Sequence, residues 1–228
     1  MGNKKSSLLT YLTFLLIALV TIFWGRQLAL HYENIRVWDF TGWLFLLIGI
    51  PFILLQKEAG LPELWQPSVS NKKRIWIPLA TGLFFALLDV IVIIVILHPE
   101  PYKTLPPFLQ PFPYSVVLYT SGAFEVEVFY RLIPITLALF FAQRFFPKYA
   151  TTIFWIMAVL TSLREPIEQF QQGALWYVLY SFISGFAMNF LQVVFYKKAG
   201  VLASLFTRLG HYLLWHILLG LYIEYFML

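Results

Sequence analysis

The chain has no cysteine, which removes disulfides, thiolate metal sites, cysteine nucleophiles and iron–sulfur clusters from consideration. It is also short of charge: Asp, Glu, Lys and Arg make up 12% of 228 residues, against 60% hydrophobic residues. A soluble domain carries about 25% charged residues, so this chain holds roughly half of what wets a globular surface. That shortage excludes a soluble enzyme, a nucleic-acid-binding module and a disordered chain. With a mean hydropathy of +0.76, the class is an all-α polytopic helical membrane protein, read as one domain over 1–228. No convincing internal repeat is visible, which weakens an inverted-repeat transporter reading.

Seven apolar stretches are marked, at 8–24, 38–55, 75–97, 114–142, 150–169, 174–196 and 201–228. Most reach the ~20 residues that a bilayer core requires, and the fourth is long enough to demand tilt or a kink, which Pro134 supplies. Arg164, Glu165, Pro166 and Glu168 interrupt the end of the fifth. The first stretch follows Lys4 and Lys5 without a small-residue cleavage site and reads as an anchor. Met1, Gly2 and Ser6 fit a short acylation pattern that is common by chance.

The net charge of +5 is explained by placement. With the N-terminus inside, the inner segments hold ten basic residues: Lys4, Lys5, Lys57, Lys72, Lys73, Arg74, Arg144, Lys148, Lys197 and Lys198. The outer segments hold four: Arg26, Arg36, Lys103 and Arg164. This positive-inside asymmetry predicts a cytoplasmic N-terminus and an external C-terminus, and needs no nucleic-acid partner. The inner loop 56–74, with Trp65, is expected on the headgroups. The segment 98–113 holds six prolines and is expected as an extended outer loop or lid.

Ionisable residues inside spans are costly and are therefore candidates for function. They are Asp89, Glu125, Glu127, Arg131, Glu165, Glu168, Arg208, His211 and His216. Glu127 and Arg131 are four apart and share a helix face, whereas Glu125 points about 160° away from Glu127. Arg208, His211 and Trp215 form one stripe, extended by Tyr212 and His216. Matched depths predict a cluster of the fourth, fifth and seventh spans. Asp89 and Glu125 have no partner at helical spacing, and Asn189 and Gln192 read as interhelical hydrogen-bond links. A glutamate-and-histidine site fits these residues: a buried carboxylate takes a proton from water, and an imidazole orients that water or stabilises an oxyanion.

The run Glu125-Val126-Glu127-Val128-Phe129-Tyr130-Arg131 resembles the Glu-Glu-x-x-x-Arg motif of the CAAX prenyl protease and bacteriocin-processing (CPBP, or Abi) family of intramembrane proteases. The resemblance covers roughly 114–220. Glu127 and Arg131 match the second glutamate and the arginine, while Val126 stands at the first glutamate. In the second motif Gln169 stands where a histidine belongs. In the third, His211 matches and Trp215 replaces Asn or Asp. The resemblance implies a CPBP-like helical bundle in a prokaryotic cell membrane, acting as an endopeptidase on a membrane-embedded or lipidated peptide or protein. In that role Glu127 is the base, His211 and His216 are water or oxyanion ligands, Glu165 joins a rearranged site, and Arg131 and Arg208 hold the carboxylates. No metal or cofactor is expected. Two alternatives stand beside it: a non-catalytic relative that binds a peptide or membrane-protein partner, and a small transporter or lipid-handling protein. Glu127 consumed by both arginines favours the first of these. A polar path to both faces favours the second.

Overall fold

The computed structural model describes residues 2–100, 102–106 and 108–228. Met1 of the acylation pattern, and Pro101 and Pro107 of the proline-rich segment, lie outside the described residues. Among the described residues the secondary structure is helical, without strands. The helices fall on the seven apolar stretches. They are α1 (Gly2–Leu28), a broken pair α2 (Phe40–Leu46) and α3 (Gly49–Leu54), α4 (Lys72–Ile96), α5 (114–145), α6 (Ala150–Glu168), α7 (Leu175–Ala199) and α8 (201–226). Three of them, at Lys4–Leu28, Lys72–Ile96 and Leu175–Ala199, are long and apolar enough to cross a membrane. Helix α5 has the length but carries Glu125, Glu127 and Arg131 in its middle.

The outward faces are apolar, with Leu9, Phe23, Phe84, Val95, Ile183 and Phe226 exposed, while Arg131 and Arg208 are the largest fully buried side chains. Water does not favour such a surface, whereas a hydrocarbon phase does. Prolines shape two of the long helices. Pro78 and Pro134 each follow a π-helical turn, Lys72–Trp76 and Val128–Leu132. A proline ring collides with the carbonyl four residues earlier, and the wider turn takes up that strain without ending the helix.

Contacts gather the connecting segments at two ends. At one end Lys4 pairs with Glu58 at 2.8 Å, the Trp65 indole donates to Thr10 at 2.8 Å, and Lys197 donates to the Gly60 carbonyl at 3.2 Å. At the other end Gln110 bonds Asn34 and Arg36, Tyr114 bonds the Arg36 carbonyl, and the Phe112 amide bonds Glu224. The loop 56–74, expected on the headgroups, turns partly inward. Leu61 and Leu64 are buried, and Arg74 is buried against Asn71, the Gln66 carbonyl and the Trp65 ring. The described residues of 98–113 form no helix or strand, and 98–100, 103 and 104 are exposed as expected of an outer loop, but part of the segment turns inward. Leu109 and Gln110 are buried, and Tyr119 and His216 both bond the Phe108 carbonyl, at 2.6 and 2.8 Å. Apolar side chains draw part of each segment into the bundle, while residues such as Lys57, Glu58, Lys103 and Thr104 stay exposed.

The crossing of α4 and α8 sets the geometry of the site. A Cβ at Gly82 would sit 1.8 Å from the Thr207 carbonyl oxygen, and one at Gly210 would sit 2.3 Å from that of Leu79. Only hydrogen at both positions lets the two backbones meet, the small-residue packing that brings apolar helices together. Asp89, two turns beyond Gly82, then reaches His211, the neighbour of Gly210.

Candidate functional site

Four helices converge on a buried charge network. Arg131 donates to Glu127 at 2.8 Å across one turn of α5, and also to Asn189 and to Gln192 (2.5 Å) on α7. Arg208 on α8 grips Glu165 on α6 with two parallel bonds of 2.7 and 2.5 Å. It also bonds Asn189 at 3.0 Å and Gln192 at 3.3 Å, and its Nε lies 3.8 Å from Glu127. The two amides are oriented by their other ends, since Asn189 donates to the Gly185 carbonyl at 2.8 Å and Gln192 to that of Ser204 at 3.5 Å. Both amide oxygens are thereby turned to the guanidiniums. Two carboxylates face two guanidiniums, so the network is formally neutral.

A second constellation flanks it. His211 Nε2 lies 2.7 Å from one Asp89 oxygen, and Tyr180 donates to the other at 2.7 Å. The His216 ring stacks on Tyr119 with centroids 4.1 Å apart, and its Nδ1 meets the Phe108 carbonyl. Between the two constellations lies a cavity of about 620 Å³, bounded by parts of α4 to α8. Arg36, Tyr102, Gln169 and Gln171 line its mouth, and Glu165, Asn189 and Arg208 its floor. No residue of the opposite end, from 56–71 or 146–149, contributes to its wall. The cavity wall is therefore built from one half of the bundle.

The candidates distribute as follows. Glu165, Gln169, Arg208, His211, Trp215 and His216 all line this cavity. Glu127 does not: its side chain is 1% exposed, held by Arg131 and approached by Arg208. Of the expected catalytic set of Glu127, His211, His216 and Glu165, the last three share the cavity wall and Glu127 is outside it. His211 is taken by Asp89 and His216 by a backbone carbonyl, because the α4–α8 crossing and the inward turn near Phe108 supply nearer partners. Arg131 and Arg208 do hold carboxylates, and Asn189 and Gln192 do link helices. Glu168 lies outside the cavity, bonded to Arg164 at 2.8 Å and to Tyr130. Sequence reasoning left Asp89 without a partner and missed Tyr180. Asp89 carried a signal as a lone intramembrane acid, but a tyrosine in an aromatic-rich helix carried none.

Comparison with protein-family models, curated proteins and solved structures finds no match.

Proposed function

We propose that the chain is a CPBP-like integral membrane protein of seven spans that holds a membrane-associated peptide or protein segment in its cavity without cleaving it. The observation that carries this reading is the closure of Glu127. A carboxylate with a guanidinium at 2.8 Å and a second at 3.8 Å, turned away from the cavity, serves as a strut rather than a base for water. Glu165, the other network carboxylate, is gripped on both oxygens by Arg208. A transporter needs a polar path to both faces, and the cavity wall comes from one half of the bundle. Proteolysis is the second reading, favoured by a specific pair: Asp89 and His211 meet at 2.7 Å on the cavity wall, as an oriented imidazole base would.

In this reading the end that holds Lys4, Glu58 and Lys197 is cytoplasmic and the cavity opens outward. Single cysteines at positions 57 and 103 of this cysteine-free chain are expected to label with an impermeant thiol reagent from the cytoplasmic and external sides respectively. Labelling of position 103 from the cytoplasmic side alone contradicts the topology. The function itself is tested by whether the purified chain binds hydrophobic peptides and leaves them intact.

A further inference from the structure

The cavity wall has an excess of carboxylates over guanidiniums. Asp89, Glu125 and Glu165 line it against Arg36 and Arg208, three carboxylates to two guanidiniums. Glu165 is neutralised by Arg208, and both Asp89 oxygens are already bonded. Glu125 is half-buried and makes no hydrogen bond among the described residues; the cation acting on it is Arg36 at the mouth. His216 adds an acceptor. A carbonyl oxygen only accepts, so His216 Nδ1 carries the proton toward Phe108, and the neutral ring leaves Nε2 as a bare acceptor. At His211, Nε2 is engaged by Asp89, and Nδ1 is buried and closed off from the cavity.

We propose that this cavity recognises a primary ammonium group, the free amino terminus or lysine of the peptide it holds, with Glu125 as counter-charge and His216 as acceptor. The assignment rests on the peptide-binding reading. An ammonium offers three donors and no acceptor, which suits a wall that presents a carboxylate and an imidazole lone pair. A zwitterionic ethanolamine lipid would bring its phosphate beside the same carboxylates, so the peptide source is favoured by charge.

The experiment uses the full chain purified in detergent and follows Trp fluorescence, since Trp215 and Trp38 line the cavity. Hexylammonium is expected to change the signal saturably, and hexanoate is not. Glu125→Gln and His216→Leu are each expected to weaken hexylammonium by about tenfold, the scale of one charge-assisted hydrogen bond. A hydrophobic decapeptide with a free amino terminus and no lysine should bind about tenfold more tightly than its acetylated twin. Equal binding of the twins overturns the ammonium assignment and leaves the peptide reading standing. Hexylammonium binding with neither peptide bound leaves the ammonium site and ends the peptide reading. Equal response to hexanoate, or unchanged binding in both variants, overturns the proposal. Displacement of hexylammonium by phosphatidylethanolamine vesicles, and not by the decapeptide, overturns the peptide source.

Discussion

Replacing Arg208 with Met is expected to destabilise the folded protein by about 3–5 kcal/mol, the cost of breaking a buried ion pair from one side. Arg208 is fully buried and is the guanidinium that meets Glu165 on both oxygens while approaching Glu127. Without it, two carboxylates share Arg131 alone. Interhelical hydrogen bonds in bilayers average well below 1 kcal/mol, so the uncompensated charge sets the size of the effect and the lost bonds to Asn189 and Gln192 contribute less. Arg208→Met combined with Glu165→Met removes the stranded charge as well. That double variant is expected to recover about half of the loss, a non-additivity that thermal unfolding of detergent-purified protein reads directly. A single Arg208→Met variant as stable as the parent would mean that the network does not hold the four helices together.

The second large effect is expected at Gly82. Its Cβ would fall 1.8 Å from the Thr207 carbonyl oxygen and 2.7 Å from the His211 amide nitrogen. The obstruction is backbone, which no rotamer change relieves, so even Gly82→Ala must push α4 from α8. Overpacking costs about 1–3 kcal/mol where side chains can yield, and more where they cannot; about 3 kcal/mol is expected here. Separation of the two helices also breaks the Asp89–His211 contact, so the His211 ring signals in an imidazole-labelled sample should shift together with the stability. A substitution at Gly122, where an added Cβ meets nothing within 4 Å, is the control expected to leave both unchanged. If Gly82→Ala and Gly122→Ala behave alike, the close crossing is not what positions the site.

The helices were legible because apolar runs of bilayer length have few alternatives to helix. The Glu127–Arg131 pair was equally legible, since spacing of four residues fixes a shared face whatever the tertiary structure. Pairings between helices were not. Depth along the axis put Glu127 and His211 at one level, but depth says nothing of rotation about the axis. The rotation of α8 is fixed by Gly82 and Gly210, whose lack of side chains matters only once the two backbones are known to cross. That crossing gives His211 to Asp89. The inward turn at Leu109 and Gln110 was hidden for a related reason: prolines announce that a helix stops, not where the chain goes next. Buried Leu109 and Gln110 and the partly buried Phe108 determine that, through contacts with residues far along the chain.

The most direct test of the central claim, that Glu127 is a strut beside a binding cavity, compares the wild-type chain with Glu127→Gln. Both are purified in detergent, incubated with the free-amine decapeptide, and assayed by mass spectrometry for cleavage and by Trp fluorescence for binding. The account predicts that both proteins bind the peptide, that neither cleaves it, and that Glu127→Gln lowers thermal stability by leaving Arg131 with one carboxylate fewer. Cleavage by the wild-type protein, abolished in a Glu127→Gln variant that remains folded and still binds the peptide, would contradict it.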